Sequence, residues 1–214
     1  MDRGNMEYTR LFLIRHGQVE GHDETRYNGQ TNVPLTGHGR RQLETVADRL
    51  AGVTLDAVWS SDLDRCRYGA EQLAAARGLD VVYRPALREL HVGDWEGRTW
   101  RELKAAYPVE WQARLDDIVH YRVPGGESFL DVALRVRTEL VRLLAAHRGQ
   151  NVALVAHGGV NRIILLDALG APLDRVFSLE QDYACINVID YFAEGYRTVR
   201  LINADHLPER LCSR

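Results

Sequence analysis

Two histidines in the sequence each follow an apolar run and each precede a glycine. Arg15 and His16 follow the run Leu11–Ile14, and His157 follows the run Asn151–Ala156. Short apolar runs bounded by polar residues are typical of strands buried on both faces of a parallel sheet. Ligands of such sheets bind beyond the carboxyl ends of the strands, where an arginine beside a histidine suits an anion. We expect that anion to be a phosphoryl group.

Two further side chains occupy the same topological position, the end of a strand or the first turn after it. Arg65 opens a predicted helix, and Glu89 follows a short predicted strand. Taken singly, Arg65 is typical of a solvated helix residue and Glu89 of a surface carboxylate. If the strands are neighbours in one sheet, both side chains converge with Arg15, His16 and His157. Such a combination is unlikely to arise by accident.

The elements that must position these residues alternate between strands and helices, which indicates an α/β fold. Periodicity, caps and stops predict the bounds. The predicted strands are 8–14, 56–60, 80–83, 151–156, 184–192 and 196–203, the last two forming an antiparallel edge, and the predicted helices run from Thr36 to Gly52, from a cap at Ser61 or Asp62 to Gly78, from Ser128 to His147 and from Val160 to Leu169.

Two segments lie outside this alternation. Residues 17–34 are polar and rich in turn formers, and we expect a long loop over the end of the first strand. Residues 89–124 form an aromatic-rich excursion that we interpret as a lid, with a short helix from Thr99 that ends before Pro108. With 214 residues, the chain is expected to form a single domain, 1–214.

Composition excludes several classes of protein. The chain is 45% hydrophobic and 27% charged with a net charge of −3, which argues against a nucleic-acid or membrane partner. Neither a spanning segment nor the apolar part of a signal peptide is present, so we expect a cytoplasmic location. Cys66, Cys185 and Cys212 lack C-x-x-C spacing, which favours free thiols over a disulfide framework or a zinc site.

Five short segments, in order along nearly the whole chain, resemble the motifs of the histidine phosphatase superfamily, the group that includes the phosphoglycerate mutases. These segments are Arg15–Gly17, Ser60–Arg67, Arg88–Gly97, Gly125–Ser128 and Val155–Gly159. The resemblance implies an α/β three-layer sandwich, with a mostly parallel central sheet and helices on both faces. It also implies a phosphoryl-transfer enzyme that works through a phosphohistidine.

The roles implied by the resemblance agree with the chemistry of the side chains. His16 would be the nucleophile, because a neutral imidazole attacks phosphorus well. Arg15, Arg65 and His157 would neutralise the oxygens of the transferring phosphoryl group. Glu89 would protonate the leaving oxygen and then activate water. Neither a metal ion nor a cofactor is required by this scheme.

A metal hydrolase is the alternative for two histidines near a carboxylate. The sequence has no H-x-H or H-E-x-x-H spacing, and Arg15 and Arg65 would repel a divalent cation. We therefore expect no metal site.

Further phosphate contacts follow from the resemblance. Gln18 and His22 lie just after the first histidine, although the family commonly has an asparagine where this chain has His22. Asn28 and Gly29 are expected to donate hydrogen bonds to the phosphoryl group. The backbone N–H of Gly158 opens a helix, a favourable place for an anion.

The segment between the predicted proton donor and the late helix, Gly97–Pro124, is shorter than is typical of the mutase branch. We therefore favour a phosphomonoesterase for a small phosphorylated metabolite over a phosphoglycerate mutase. Gly93–Glu96 and the tail Val199–Asn203 resemble the α-ribazole 5′-phosphate phosphatases of cobalamin synthesis. Two alternatives stay open: a sugar-phosphate phosphatase with a more basic outer pocket, and a non-catalytic relative that binds a phosphoprotein. A homodimer is also possible for this chain.

The lid contains four aromatic residues that either stack on a base of the substrate or simply pack on one another: Trp95, Trp100, Trp111 and Tyr121.

Overall fold

One six-stranded sheet runs through the computed structural model, which describes residues 7–208 and Leu211. The strands are β1 (Tyr8–Arg15), β2 (Ala57–Ser60), β3 (Val81–Tyr83), β4 (Asn151–Ala156), β5 (Ile186–Phe192) and β6 (Arg197–Ala204). Their order across the sheet is β3-β2-β4-β1-β5-β6. β1 to β4 are mutually parallel where they pair, while β5 is antiparallel to both β1 and β6. The predicted mostly parallel sheet with an antiparallel edge is confirmed.

The register of the two central strands fixes where their ends lie. β1 and β4 pair along their length from Arg10 with Asn151 to Arg15 with Ala156. Because the pairing is parallel, the residues that follow, His16 and His157, emerge side by side at the same sheet edge.

Six α-helices accompany the strands in the described part of the chain. They are α1 (Gly37–Arg49), α2 (Asp64–Ala75), α3 (Trp100–Ala106), α4 (Pro108–Asp116), α5 (Phe129–Ala146) and α6 (Gly158–Leu169). Alternate residues of β1 face opposite ways, as a strand requires. Phe12 and Ile14 pack in one apolar cluster with α1 and α2, while Leu11 and Leu13 pack in a second cluster with α5 and α6. The result is the expected three-layer sandwich.

Side-chain caps set the starts of several helices. The hydroxyl of Thr36 accepts a hydrogen bond from the backbone N–H of Gly39 at the start of α1. Ser128 forms a capping box with Asp131 at the start of α5. Each cap satisfies N–H groups that have no partner inside the helix. Gly170 ends α6 in the left-handed conformation, with φ of 68°.

The prediction that Ser61 or Asp62 caps α2 is wrong. The helix begins at Asp64 after Leu63, without a side-chain cap. Asp62 instead forms an ion pair of 2.6 Å with Arg88, and Ser61 turns its hydroxyl toward the sheet edge. Asp62 and Ser61 therefore bind residues of other segments instead of capping α2.

The lid contains two helices rather than one. A capping box between Thr99 and Glu102 starts α3, as the sequence indicates, and α3 stops before Pro108. Pro108 then occupies the first turn of α4, where its fixed φ and missing N–H are tolerated. The same proline therefore ends one helix and starts the next.

Two of the three cysteines fall within the described chain, and both are free and buried, namely Cys66 and Cys185. Cys212 lies outside the described residues. No helix within residues 7–208 is both long enough and apolar enough to cross a membrane.

Candidate active site

His16 and His157 are neighbours at the carboxyl edge of the sheet. The backbone N–H of His16 donates to the carbonyl of Ala156 over 3.1 Å, which continues the pairing of β1 with β4 past the strand end. The two imidazole rings meet edge to face with their centroids 5.3 Å apart. The predicted convergence of the two histidines is therefore a direct consequence of strand register.

The His16 ring has a defined orientation. Its Nδ1 lies 2.8 Å from the carbonyl oxygen of Gly17. Since a carbonyl oxygen only accepts hydrogen bonds, Nδ1 carries the proton and Nε2 carries the lone pair. The side chain is 6% exposed and lines a cavity at the sheet edge. This tautomer is the one that a nucleophilic Nε2 requires.

The surroundings of His16 keep its imidazole neutral. Burial lowers the pKa of His16 well below its ordinary value of 6.5, and the positive charges of Arg65 and Arg15 lower it further. A neutral ring retains its lone pair at physiological pH, whereas a protonated ring cannot attack phosphorus. The nearby arginines thus favour the neutral, nucleophilic form of the His16 imidazole.

Arg65 lies in the first turn of α2 and is 2% exposed. Its guanidinium donates to the carbonyls of Thr31 and Gly29 over 2.8 and 2.7 Å. Glu96 holds the same loop, because its carboxylate accepts from the hydroxyl of Thr31 and from the backbone N–H of Gln30. The long loop after β1 is therefore a cradle for Arg65.

Arg15 is held by the segment that precedes β5. Its guanidinium donates to the carbonyl of Gln181, and its central carbon lies 4.1 Å from the centroid of the Tyr183 ring. Gln181 is itself anchored through its side chain to Asn187. The Nε of Arg15 is buried and has no hydrogen-bond partner among the described residues, which leaves a donor for a bound anion.

His157 is fully buried beside His16 and does not line the cavity. Its Nε2 lies 2.8 Å from the hydroxyl of Ser61 and 3.4 Å from the sulfur of Cys66. Burial, followed by the charges of Arg65 and His16, lowers the pKa of His157 well below 6.5. Burial also raises the pKa of Cys66 to about 12, so this thiol stays protonated.

Glu89 lines the same cavity as His16. Its carboxylate accepts from the backbone N–H of Gly159 over 3.0 Å and from that of Leu90 over 2.8 Å. The guanidinium of Arg135 donates to the Glu89 carbonyl over 3.0 Å and pairs with Glu127. Both the carboxylate and the backbone of Glu89 are thereby fixed.

The cavity that these groups enclose has a volume of about 170 Å³. It contains most of the residues that the sequence singles out: Arg15, His16, Asn28, Gly29, Arg65 and Glu89. Its lining also includes Trp100 of the lid and residues that the sequence did not single out as site residues: Arg26, Tyr27, Leu90, Val92, Arg114, Phe129, Gly159, Arg162, Phe177 and Tyr183.

In addition to His157, three of the predicted phosphate contacts do not line this cavity. The Gln18 side chain accepts from the hydroxyl of Thr36 and so belongs to the start of α1, while His22 is exposed in the loop. Gly158 is buried beside two arginines that line the cavity, because an added Cβ would lie 3.1 Å from Nη1 of Arg162 and 3.4 Å from the Nε of Arg15. The structure therefore does not bring the side chains of Gln18 and His22 to the other site residues.

The aromatic residues of the lid mostly pack on one another. Trp95 and Trp111 are 2% and 8% exposed, with ring centroids 6.0 Å apart, and Tyr121 lies 6.1 Å from Trp95. Of the four residues considered for base stacking, only Trp100 lines the cavity. Plain packing thus accounts for the other three.

The arrangement suits transfer of a phosphoryl group. A neutral imidazole, two guanidinium groups and a carboxylate lie around one small cavity, and these are the parts needed to attack phosphorus, neutralise its oxygens and move a proton. Within residues 7–208, no three side chains of His, Cys, Asp or Glu come together in a way that would hold a metal ion.

Comparison with known proteins agrees with this geometry. Residues 11–204 match the family model described as histidine phosphatase superfamily, branch 1. The chain is 31% identical to an adenosylcobalamin/α-ribazole phosphatase of Escherichia coli, over 91% of this chain and 96% of that protein. It is 37% identical to a bifunctional protein of Mycobacterium tuberculosis over 91% of its own length, and spans about half, 54%, of that longer protein.

A solved structure shows the same fold. The native structure of a mycobacterial glucosyl-3-phosphoglycerate phosphatase superimposes with a TM-score of 0.84 at 30% identity, covering 92% of this chain and 99% of that one. The family match, the relatives and the fold are consistent with one another. The chain belongs to the histidine phosphatase superfamily, and several of its relatives are named phosphatases.

Proposed function

We propose that this chain is a phosphomonoesterase that works without a metal ion and carries the phosphoryl group on His16. The observation that carries the proposal is the His16 tautomer: Nδ1–H donates to Gly17, which leaves the Nε2 lone pair at a cavity that Arg15 and Arg65 also line. A nucleophile beside two cations matches the charge of a phosphate ester and of its transition state.

In the first step, Nε2 of His16 attacks phosphorus, the N–P bond forms and the ester P–O bond breaks. Arg15 and Arg65 neutralise the oxygens of the phosphoryl group during transfer, and Arg15 has a free Nε for this purpose. Glu89 gives its proton to the leaving oxygen, so that the product departs as a neutral alcohol.

In the second step, Glu89 takes a proton from water while the water oxygen attacks phosphorus. The N–P bond breaks, inorganic phosphate leaves, and His16 and protonated Glu89 are regenerated. The two backbone N–H groups on the Glu89 carboxylate, from Gly159 and Leu90, support this role because they hold the carboxylate in one position. Positioning of this kind is a main source of enzymatic rate.

His157 would act from beneath the cavity rather than along its wall. Its contact with Ser61 and its edge-to-face packing on His16 support a role in orienting His16. Burial lowers the pKa of His157 and so keeps its ring neutral. The ring therefore adds no second positive charge beside Arg65.

The substrate would be a small phosphorylated metabolite, with no nucleic acid or membrane as partner. The names of the relatives offer two candidate substrates for this chain, α-ribazole 5′-phosphate and glucosyl-3-phosphoglycerate. The first agrees with the sequence resemblance of Gly93–Glu96.

Hydrolysis of p-nitrophenyl phosphate, measured with and without a chelator, tests the proposed chemistry. We expect release of nitrophenolate at the same rate in both conditions, and no release from His16→Ala. Activity that the chelator abolishes and a divalent cation restores would overturn the metal-free mechanism. A panel of phosphate monoesters that includes α-ribazole 5′-phosphate then ranks the natural substrates by kcat/KM.

A further inference from the structure

Arg114 is a buried cation without a counter-ion. Three arginines in the described chain are at least nine-tenths buried: Arg10, Arg65 and Arg114. Arg10 pairs with Asp190 over 2.7 Å, and Arg65 donates to two loop carbonyls. Arg114, on α4 of the lid, is 5% exposed and has neither a hydrogen bond nor an ion pair to any residue in the described part of the chain.

Aromatic rings surround Arg114 but do not use its N–H groups. The central carbon of its guanidinium lies 5.2 Å from the Tyr27 ring centroid and 5.9 Å from that of Phe129. Such contacts involve the faces of the guanidinium, whereas its N–H donors point outward in the plane. A buried charge whose donors are unpaired is costly unless something else binds it. Arg114 lines the cavity, so its partner must come from there.

A second arginine of this kind, Arg162, lines the same cavity. Among the described residues, Arg162, on α6, makes one hydrogen bond, in which its Nε donates to the carbonyl of Leu179 over 2.7 Å. Its guanidinium carbon lies 5.9 Å from the ring centroid of Phe177, and Phe177 meets Phe129 edge to face at 5.9 Å. The Phe129–Phe177 pair therefore lies between the two arginines.

The charge of the cavity exceeds what one phosphoryl group needs. Five arginines line it, at positions 15, 26, 65, 114 and 162, against a single carboxylate, that of Glu89. A phosphate monoester carries about −1.5 to −2 charges near neutral pH. Arg15 and Arg65 together balance that charge. The positive charges of the other three arginines are therefore in excess of it. Arg26 has its own partner in Glu24, which leaves Arg114 and Arg162.

We propose that the substrate carries a second anionic group, a carboxylate or a second phosphate, which binds Arg114 with help from Arg162. This inference rests on the proposed function, because it takes the first anion to be the phosphoryl group at His16. The cavity of about 170 Å³ is smaller than the ~300–1,000 Å³ of common ligand pockets, so the two anions are separated by only a few carbon atoms. α-Ribazole 5′-phosphate has one anionic group and does not meet this requirement.

Binding of non-hydrolysable phosphonates tests the subsite independently of turnover. Calorimetry compares 3-phosphonopropionate with propylphosphonate, which has the same phosphonate but no carboxylate. Hydrogen bonds to charged groups contribute about 1.5–3 kcal/mol, so we expect the carboxylate to tighten binding roughly 10- to 150-fold. Propane-1,3-bisphosphonate in the same assay shows whether a second phosphate is preferred to a carboxylate.

The variant Arg114→Gln should reduce that ratio of affinities to about 3-fold or less, and Arg114→Lys should restore part of it. Arg101→Gln is the matched control, because Arg101 lies in the same lid with its side chain 87% exposed and does not line the cavity. It should keep the wild-type ratio. If Arg114→Gln does not fold, Arg162→Gln serves as the second variant and should also lower the ratio.

The results separate this inference from the proposed function. Equal affinities of the wild-type protein for the two phosphonates, or a ratio unchanged in both Arg114→Gln and Arg162→Gln, would overturn the second anion subsite even if p-nitrophenyl phosphate is hydrolysed. A ratio that depends on Arg114 supports the subsite even if no phosphate ester is turned over, an outcome that would overturn the proposed function alone.

Discussion

The backbone N–H of Gly159 donates a 3.0 Å hydrogen bond to the Glu89 carboxylate, and the position of Gly159 leaves no room for a side chain. A Cβ at residue 159 would lie 2.4 Å from Oε1 of Glu89, far inside any van der Waals contact. Gly159 therefore places the carboxylate in two ways, by donating to it and by giving it space.

Gly159→Ala should push the Glu89 carboxylate away from the leaving group. Because a displacement of about 1 Å in a catalytic group costs up to roughly 10²-fold in rate, we expect kcat/KM for an alkyl phosphate to fall about 10- to 100-fold. Steady-state kinetics on glycerol 3-phosphate measure the effect. Gly52→Ala is the control, since a Cβ there meets nothing within 4 Å. Equal activity of the two variants would show that Glu89 is not held in place by Gly159.

Glu89→Gln should affect esters according to their leaving groups. An alkoxide needs a proton to leave, whereas p-nitrophenolate leaves almost unaided, so phosphorylation of His16 should slow far more for an alkyl ester. Water attack still lacks its base, so p-nitrophenyl phosphate should give a burst of nitrophenolate and then a slow steady state. Stopped-flow absorbance records both phases. Equal losses on the two esters without a burst would transfer the role to Glu96 or Glu127.

Arg65→Ala should reduce kcat/KM for every phosphate ester by on the order of 10²–10³-fold, because one preorganised donor to the phosphoryl group is lost. The alcohol part of the ester should not matter, since Arg65 lies in the cradle formed by Gly29 and Thr31. Kinetics on an aryl, a glyceryl and a sugar phosphate check this. A loss confined to one of the three esters would place Arg65 in the specificity pocket instead.

The two buried histidines should make the fold sensitive to acid. The pKa values of His16 and His157 are lowered well below 6.5 in the folded chain, so the unfolded chain binds more protons below about pH 6.5. The stabilising contribution of the two neutral histidines should therefore be fully present above pH 6.5 and be lost as the pH decreases, by on the order of 1 kcal/mol for each histidine between pH 8 and 5.5. Urea unfolding at the two pH values measures the change.

Substitution of one histidine isolates its contribution. His16→Asn should show a pH-dependent loss that is smaller than the wild-type loss by on the order of 1 kcal/mol, because one proton-binding group is removed from the unfolded chain. His22→Gln is the control, since His22 is exposed in the loop after β1. If His16→Asn and the wild-type chain lose the same free energy, the His16 pKa is not the cause.

Much of the fold follows from local patterns in the sequence. The apolar runs Leu11–Ile14 and Asn151–Ala156 predict buried strands, and the caps at Thr36 and Ser128 predict helix starts that the structure confirms. The cap of α2 was not predictable in this way, because Ser61 and Asp62 are used by partners that lie far along the chain, His157 and Arg88.

The site also contains residues that the sequence indicates and residues that it does not. His16 and Arg65 stand at strand or helix ends, where position alone indicates convergence. Arg114 carries no such signal, since an arginine on a short amphipathic helix is normally solvated, and only the packing of α4 against Tyr27 buries it. Gln18 is the opposite case. Its position close to His16 in the sequence suggests a phosphate contact, but its side chain accepts a hydrogen bond from the Thr36 hydroxyl instead.

The most direct test of the account is the identification of a phosphoryl group on His16. Rapid quenching of the enzyme with a ³²P-labelled ester during turnover, followed by proteolysis at high pH, isolates the labelled peptide. We expect an acid-labile, base-stable phosphoramidate on the peptide that contains His16, and none in His16→Ala. An active preparation that never shows this adduct, together with a His16→Ala variant that keeps most of its activity, would contradict the role of His16 as the nucleophile.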